Sequence, residues 1–301
     1  MADDNSSVAA NPGDLSRNVA GIPTPQADAE DAPLFRPAVR KFLELRHEPS
    51  RFSSLFLGLL GGVIFLSVWE LGHHLTAEEG QKFLPSVEEV LNALVTLFRE
   101  DDFLNDVIAS LRRIFLSFFA AAAIAVPLGV LMGCFGKLRS LFNPTLAGWR
   151  YLPAPSFMPL FLVWFGPTET AKLALLFVGV IFFLIALILD NTEAVPNEFV
   201  EAALTMGASR WGVVVDVVVP AAAPAIFDSM RNMIAVGWTY LVIAEIVAAD
   251  DGIGAMMMRA GRTLSVDQIM AGILTIGVLG VTTDVLFRIV SRLLLPWAGS
   301  R

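Results

Sequence analysis

Few residues in this chain are of the types that carry out chemistry. The three histidines include an adjacent pair, His73 and His74, but no cysteine or acid stands beside it at ligand spacing, so no metal site is predicted. The single cysteine, Cys134, allows no internal disulfide and ends an apolar run, where a small buried side chain is expected. We therefore expect no catalytic residue and no bound metal in this chain.

A nucleotide-binding loop is also missing from the sequence. The loop that cradles ATP phosphates has the pattern G-x-x-x-x-G-K-[ST]. Its nearest match is Gly136-Lys137, but Leu138 follows the lysine and Leu131 occupies the first glycine position. ATP would therefore have to bind to another chain, and no cofactor is expected on this one.

Charged side chains inside apolar stretches are the remaining candidates, because a charge is costly in hydrocarbon and usually faces a partner or a pathway. Glu245 lies 14 residues after Arg231. That is about 21 Å along a helix, so these two cannot pair on one straight helix. We expect Arg112 or Arg113, near the same predicted membrane face, to neutralise Glu245. Asp228 and Arg231, three residues apart, can pair on one helix face.

Membrane-spanning helices are the elements that must position these residues. Of the 301 residues, 55% are hydrophobic and 17% are charged, and the mean hydropathy is +0.65. A soluble domain has about 25% charged residues, and a span needs about 20 apolar ones. Six segments meet or approach this length: residues 54–71, 108–132, 146–165, 171–189, 224–248 and 268–290. The third contains Pro153, Pro155 and Pro159, so it is expected to be kinked or partly unwound.

The amino-terminal part has a different composition. Residues 1–33 are rich in Asp, Asn, Ala, Pro and Ser and lack the apolar residues needed to offset ordering entropy. We predict a disordered cytoplasmic tail over residues 1–40 and a transmembrane domain over residues 41–301. The net charge of −8 lies largely outside the apolar segments, so it does not indicate a partner.

Basic residues near the helix ends predict the orientation of the chain. Five of them precede the first span: Arg36, Arg40, Lys41, Arg46 and Arg51. Lys137 and Arg139 follow the second span, and Arg292 and Arg301 follow the sixth. The loop over residues 72–106, on the opposite side, is rich in acids. Both termini are therefore predicted to be cytoplasmic.

A short amphipathic helix is predicted between the first two spans. Ser86 and Glu89 form a capping box behind Pro85, and apolar residues recur at helical spacing from Val87 to Phe98. About 14 residues are too few to span a bilayer. The helix could lie on the membrane surface or pack on the bundle, or it could be a dock for an external partner.

The stretch EAALTMGASRWGVVVDVVVP, residues 201–220, predicts a helix–glycine–helix hairpin within a loop over residues 191–220. Residues 196–206 favour a short helix, Gly207 permits the left-handed turn that ends it, and Ser209 can cap a second helix. Pro220 is expected to stop the second helix at Val219. The exposed corner would consist of Met206, Gly207, Ala208, Ser209, Arg210 and Trp211.

The spacing in this stretch resembles the EAA signature of permease subunits from binding-protein-dependent ABC importers. The matching positions are Glu201, Ala202, Ala203, Gly207, Val217, Val219 and Pro220. The signature usually has Ile and Leu where this chain has Val217 and Val219. The resemblance extends over residues 53–298 and is similar to the branch that handles nitrate, sulfonates, taurine or bicarbonate. The first 40 or so residues are not covered.

The resemblance implies an all-α integral membrane protein with the six-span permease fold and a cytoplasmic coupling-helix hairpin. In that family the hairpin sits in a cleft of the ATPase subunit and moves rigidly when that subunit closes on ATP. The implied partners are a second permease copy, two ABC subunits that bind ATP and Mg²⁺, a substrate-binding protein and the lipid bilayer of the bacterial inner membrane. No nucleic acid is expected.

A substrate pathway is the least determined part of the sequence. The resemblance suggests that Glu245 marks a pathway or gate, with Arg112 or Arg113 beside it. Prolines in the third span free backbone carbonyls, which are tolerated where they line a cavity. Ordinary helix packing explains the proline, serine, tryptophan and threonine candidates equally well, and snorkelling or local pairing is favoured for most of the charged ones. The candidates are Arg112, Arg113, Pro153, Ser156, Trp238, Thr239 and Glu245.

Other classes of protein stay open at this point. An ion-driven secondary transporter would tend to show internal repeats and buried ion sites, whereas no clear repeat is found. A membrane scaffold without a transport role would not need the spaced hairpin. Among substrates, small oxyanions are expected first, and a thiamine precursor or another small organic solute is the alternative.

Overall fold

The computed structural model describes residues 50–77, 84–248 and 250–298. The predicted tail over residues 1–40 lies outside them, as do four of the five basic residues ahead of the first span. Every regular element in the described part is helical.

Ten helices are described, in chain order. They are α1 (Arg51–Ala77), α2 (Val87–Glu100), α3 (Phe103–Cys134), α4 (Gly136–Trp149), α5 (Met158–Phe165), α6 (Glu169–Glu193), α7 (Asn197–Thr205), α8 (Arg210–Gly212, Val213–Val218 and Val219–Ala248), α9 (Ile253–Arg262) and α10 (Val266–Leu294). Short 3-10 turns occur at Ala154–Phe157 and Pro296–Ala298.

The chain divides into two units, residues 1–61 and residues 62–301. The described part of the first unit is the beginning of α1. In the second unit, the remainder of α1 is tied to the segment ahead of α2. Trp69 Nε1 donates a hydrogen bond to the Pro85 carbonyl at 2.9 Å, and the Val87 N–H donates to Glu70 Oε2 at 3.3 Å.

Five helices in the described residues are long and apolar enough to cross a membrane. They cover Phe52–Thr76, Phe103–Cys134, Glu169–Glu193, Arg210–Val247 and Val266–Leu294. These correspond to five of the six predicted spans. The described residues do not confirm the count of six, because the predicted third span is not one helix.

Prolines explain why the predicted third span is broken. Helix α4 ends at Trp149, a 3-10 turn covers Ala154–Phe157, and α5 begins at Met158. Pro153 and Pro155 lack the N–H groups that a continuing helix would need. Pro159 is accommodated in the first turn of α5, where its missing N–H costs no hydrogen bond. The expected interruption is therefore confirmed.

The core lies where α3 and α6 pack closely along their length. An added Cβ at Gly129 would lie 2.8 Å from Ile188 Cβ, and one at Gly133 would lie 2.5 Å from Thr192 Cβ. Small residues four apart let two helix backbones approach in this way. Large apolar side chains such as Phe118, Leu184 and Ile234 fill the remaining space.

Helix α2 packs on the bundle through one face, whereas its predicted alternative role as a dock for an external partner stays a prediction. Ser86 Oγ accepts from the Glu89 N–H at 3.1 Å and Glu89 Oε2 accepts from the Ser86 N–H at 2.9 Å, so the capping box is confirmed. Val90 and Leu97 are buried in a cluster with residues of α3, α9 and α10. Leu91, Val95 and Phe98, on the other face, remain exposed.

Candidate functional sites

The hairpin begins with α7 and turns at a glycine. Gly207 has φ of +90°, and an added Cβ there would meet no atom within 4 Å, so the backbone conformation alone demands glycine. The Ala208 N–H donates to the Ala203 carbonyl at 3.0 Å, which closes the end of α7. Ser209 caps the next helix by accepting from the Gly212 N–H at 3.1 Å. The predicted turn and cap are confirmed.

Exposed and buried residues of the hairpin separate cleanly. Met206 is 83% exposed and Trp211 is 61% exposed, while Ala203 is buried against Val213 and Val218. Six other residues named for coupling are exposed as well: Glu201, Ala202, Gly207, Ala208, Ser209 and Arg210. Pro220 is half-buried. The corner is therefore accessible to a partner while its inner face is packed. The role of these residues in coupling stays a prediction.

The second helix of the hairpin does not stop at Pro220, contrary to the prediction. It continues through a π-helical turn over Val213–Val218 into the longest helical run of the molecule, which ends at Ala248. In the π turn the Val219 N–H bonds to the Val214 carbonyl, five residues back. This altered register lets the helix pass the proline, whose missing N–H would interrupt a regular α-helix.

A half-open cavity of about 720 Å³ lies between the hairpin and the ends of α3 and α6. Cys134, Val200, Leu204 and Val214 contribute to its walls. At its edge Arg139 of α4 pairs with Glu193 of α6. The hairpin packs internally through Ala203, Val213 and Val218. It contacts the bundle through Val214 and through the Trp211 ring, which lies edge-on to Phe135 with the ring centroids 5.8 Å apart.

A second, quite different site lies near the opposite end of α8. Arg113 of α3 has no exposed side-chain surface, and three acids surround it. Its Nη1 donates to Glu245 Oε1 at 2.7 Å, and its Nε and Nη2 bond both oxygens of Glu169 at 2.9 and 2.6 Å. Nη2 also pairs with Asp251. A planar guanidinium presents five N–H donors in a fixed fork, so one side chain can bond several carboxylates, one of them through two oxygens.

We call these side chains around Arg113 the outer ionic cluster, because the basic residues of the sequence predict that this end of the molecule faces away from the cytoplasm. Glu245 is its buried acid, with only 1% of its surface exposed. Ser110 Oγ donates to it at 2.7 Å and the Gly254 N–H donates at 2.9 Å. The prediction that Arg112 or Arg113 neutralises Glu245 is confirmed for Arg113. Arg112 is largely exposed and lies 3.6 Å from Glu169 instead. The suggested gate role of Glu245 stays a prediction.

Sequence reasoning missed most members of the outer ionic cluster. Besides Arg113 and Glu245, it contains Asp106, Ser110, Glu169, Lys172, Asp251 and Arg259. Arg259 Nη2 donates to Asp106 Oδ2 at 2.8 Å, and Lys172 Nζ donates to Glu169 Oε1 at 2.6 Å. The local sequence pointed to this cluster only through the segment AEIVAADDGIGAMM, in which Gly252 and Gly254 follow Glu245 by seven and nine residues.

The pKa of Asp251, which lies between the predicted spans, shows how this cluster acts on an exposed member. Burial alone would raise the pKa of this carboxyl. The hydrogen bond from Arg113 and the attraction of Arg113 and Lys172 outweigh burial, so the pKa of Asp251 lies below its ordinary value. Asp251 is therefore ionised at neutral pH and pairs with Arg113.

The structure does not gather the other pathway candidates around Glu245. Pro153 and Ser156 are exposed at the 3-10 turn, and Thr239 is exposed on α8. Trp238 is buried in the core, and its Nε1 has no hydrogen-bond partner among the described residues. The 3-10 turn packs through Ala154 next to Ala244 and Tyr240 of α8. A pathway along these residues stays a prediction.

The predicted pair of Asp228 and Arg231 is present nearer the hairpin end. Arg231 Nη2 lies 3.6 Å from Asp228 Oδ1, and its Nε lies 3.4 Å from Asp284 Oδ1. Asp284 also accepts a 2.5 Å ion pair from Arg288. These four charged side chains of α8 and α10 thus each have a neighbour of opposite sign.

Long apolar helices and an exposed, glycine-turned hairpin together define the class of fold, which solved structures share. At a TM-score of 0.53 the chain matches a chain of the inward-facing MetNI methionine ABC transporter, covering 63% of this chain and 96% of that one at 20% identity. Residues 125–297 match the family described as "Binding-protein-dependent transport system inner membrane component".

Two curated relatives extend the match to most of the chain. The taurine transport system permease protein TauC of Escherichia coli (strain K12) is 33% identical over 85% of this chain and 94% of its own length. The nitrate import permease protein NrtB of Synechococcus elongatus is 25% identical over 77% of this chain and 87% of its own. This chain belongs to the family of inner membrane components of binding-protein-dependent transport systems, and it is a permease subunit of an ABC importer.

Proposed function

We propose that this permease forms half of the pathway for a small oxyanion, and that residues 201–211 couple the pathway to ATP hydrolysis on a partner chain. The observation that carries the coupling is the construction of the hairpin. Its corner is exposed at Met206 and Trp211 while its inner face is packed and its turn is fixed by Gly207 and Ser209. A packed, capped corner can transmit a displacement without first yielding itself.

The continuity of α8 supports the same proposal. The second helix of the hairpin is the beginning of a run from Arg210 to Ala248 that crosses the whole bundle. Displacement of Trp211 by a partner would therefore move a membrane-spanning helix directly. A loop joined to the span by a flexible link would lose such a displacement.

The substrate class follows from the relatives. Taurine carries a sulfonate group and nitrate is itself an oxyanion, and the permeases named for them align with most of this chain. Bicarbonate belongs to the same chemical class. A small organic solute such as a thiamine precursor is the alternative, because a separate binding protein selects much of the substrate in such systems.

The proposed assembly contains a second copy of this chain, two ATPase subunits that bind ATP and Mg²⁺, and a soluble substrate-binding protein. Both termini and the hairpin face the cytoplasm, as the basic residues predict. This orientation would place the outer ionic cluster on the side from which the binding protein arrives.

The decisive test is reconstitution of the chain with a candidate ATPase subunit and a candidate binding protein from the same organism. ATP hydrolysis and uptake of labelled taurine, nitrate and bicarbonate would be measured in the same vesicles. Trp211→Ala and Gly207→Ala should lower uptake at least tenfold and weaken copurification of the ATPase. Gly136→Ala is the matched control, since its added Cβ meets nothing and its φ is negative.

Two outcomes would contradict the proposal. Uptake driven by an ion gradient, without any ATPase subunit, would favour a secondary transporter. Full coupling in both hairpin variants would place the contact with the ATPase elsewhere on the chain.

A further inference from the structure

One carboxylate of the outer ionic cluster lies among three cations. Glu169 begins α6, and its two oxygens accept from Arg113 Nε and Nη2 at 2.9 and 2.6 Å. Lys172 Nζ, one turn further along α6, donates to Glu169 Oε1 at 2.6 Å. Arg112 Nη2 lies 3.6 Å from Glu169 Oε2. We call the three basic side chains, Arg112, Arg113 and Lys172, the cationic cradle.

The cradle is built into the protein, whereas the acid that fills it is not. The side chain of Arg113 has no exposed surface, and that of Lys172 is 5% exposed. Glu169, by contrast, is 39% exposed. Its carboxylate therefore covers two buried cations from the solvent side. Without an anion at this point the two cations would lose their shared partner, which is costly for buried charges.

Two further acids contact the cradle at other atoms. Glu245 accepts from Arg113 Nη1 at 2.7 Å. Asp251 pairs with Arg113 Nη2 and lies 3.7 Å from Lys172 Nζ. Glu169 is the acid that contacts all three cations of the cradle. Its removal would therefore change the charge at every one of them.

The buried part of the cluster is held independently of Glu169. The N–H groups of residues 252 and 253 donate to Asp106 at 2.6 Å and to Ser110 at 3.0 Å. The Gly254 N–H donates to Glu245, and an added Cβ at Gly254 would lie 2.7 Å from Glu245 Cβ. These contacts fix Glu245 and the start of α9 in place. Withdrawal of Glu169 would break none of them.

The chemistry of the cradle fits a small oxyanion. Two neighbouring N–H groups of a guanidinium match two oxygens on one atom, as the contact of Arg113 with Glu169 shows. Nitrate, bicarbonate and a sulfonate group also carry at least two oxygens on one atom. Such an anion can replace the carboxylate of Glu169 oxygen for oxygen. A neutral solute would leave the cations uncompensated.

We propose that the cationic cradle is a binding site for the transported oxyanion at the outer end of the permease, and that Glu169 is a resident competitor that swings out when the anion enters. The transport role of this site rests on the proposed function, whereas the anion site itself rests on the contacts of the cradle. Glu169 is the first residue of α6 and is partly exposed, so rotation of its side chain frees the cradle without movement of a helix. Between transport cycles the tethered carboxylate keeps the buried cations paired.

Anion binding is tested on the full-length permease in detergent at constant ionic strength. Chloride is replaced stepwise by nitrate, and the unfolding midpoint is recorded. Glu169→Gln removes the competing charge and keeps the shape of the side chain, so the nitrate concentration at half of the shift should fall about fivefold or more. Addition of Lys172→Gln to this variant removes a cation and should raise that concentration again by about fivefold or more.

The matched control is Glu193→Gln. Glu193 belongs to the same helix, is 36% exposed and pairs with Arg139 at the other end of the molecule. This variant should respond to nitrate as the wild type does, which also accounts for the general effect of the salt. The same response in Glu169→Gln, Glu193→Gln and the wild type would overturn the proposal. So would a shift caused by mixed micelles with phosphatidylglycerol but not by nitrate, because it would assign the cradle to a lipid headgroup.

A milder variant covers the case in which Glu169→Gln does not fold. Glu169→Asp shortens the competing side chain by one methylene group and should lower the nitrate concentration at half of the shift by about twofold. An unchanged concentration in a folded Glu169→Asp would count against a competing role of this carboxylate.

Uptake by the transporter, reconstituted with its ATPase and binding protein, separates the site from the assembly. Lys172→Gln should lower ATP-driven uptake of labelled nitrate or taurine by about fivefold or more, while Lys172→Arg, which keeps the charge, should retain it. If no ATP-driven uptake of an oxyanion occurs but nitrate binds as described, the proposed function fails and the anion site stands. If uptake occurs, both lysine variants match the wild type and Glu169→Gln does not alter the nitrate response, the site fails and the proposed function stands.

Discussion

The two ends of α8 are built on opposite physical principles. At the hairpin end, apolar side chains such as Ala203 and Val213 pack the two helices of the hairpin together and against Cys134 of α3, and the large residues at its tip stay largely exposed. At the other end, Arg113 and Glu245 are completely enclosed and hydrogen-bonded. Apolar contacts are non-directional, whereas buried charges accept only one geometry. The hairpin is therefore suited to engage and release a partner, and the outer ionic cluster is suited to keep its shape.

The largest expected effect is on the free energy of unfolding, and it should distinguish the buried ionic cluster from the exposed hairpin. Glu245→Ala leaves Arg113 without its buried partner and the Gly254 N–H without its acceptor, so it should lower the free energy of unfolding by roughly 3–5 kcal/mol. Trp211→Ala, at a largely exposed corner, removes an edge-to-face contact with Phe135 and should lower it by only about 0.5–1.5 kcal/mol. Thermal unfolding of the purified variants in detergent measures both. Equal destabilisation by the two variants would remove the distinction between the ends.

Glycine substitutions sharpen the comparison at an intermediate magnitude. Gly254→Ala forces a methyl group against Glu245 and should cost about 1–3 kcal/mol of stability. Gly261→Ala, in the same helix, meets its nearest atom at 3.9 Å and should be neutral or stabilising by up to about 1 kcal/mol, because alanine is the better helix former. The unfolding midpoint should therefore fall in Gly254→Ala and stay unchanged or rise in Gly261→Ala. An equal loss of stability in Gly261→Ala would show that the close approach to Glu245 is not what distinguishes Gly254.

The smallest effect is a pH dependence confined to the outer end. The pKa of Asp251 is lower in the folded state, so its carboxylate contributes stability above the unfolded pKa and loses that contribution as the pH falls through the folded one. The unfolding midpoints of wild type and Asp251→Asn should differ by a constant amount from pH 7 to about 5 and converge below about 4. Because Asp251 is 55% exposed, solvent screening should keep the difference under about 1 kcal/mol. A difference that grows on acidification would contradict the assigned sign.

Local patterns in the sequence were enough to predict local structure. The capping box of Ser86 and Glu89, the turn at Gly207 and the cap at Ser209 each depend on residues within four positions of one another. Hydropathy located five long helices, and prolines located the break between α4 and α5. The class of protein followed from the spacing of the hairpin residues.

Contacts between distant segments were harder to predict. Arg113 and Glu245 lie 132 residues apart, and their pairing could be expected only because both were placed near one membrane face. The capping of residues 252–254 by Asp106 and Ser110 had no signal in either segment, because tertiary packing alone brings them together. Pro220 misled the prediction because the π turn ahead of it changes the hydrogen-bond register, which a local rule about proline does not consider.

The unbroken course of α8 sets a scale for any motion that the hairpin receives. The run from Arg210 to Ala248 has 39 residues, counted from its first to its last number, which corresponds to a length of about 58 Å. If this helix pivoted at one end, a tilt of about 5° would shift the other end by about 5 Å, close to one helical turn. If a partner rotates the hairpin as proposed, side chains at the opposite end of α8 would thus be displaced by about 5 Å.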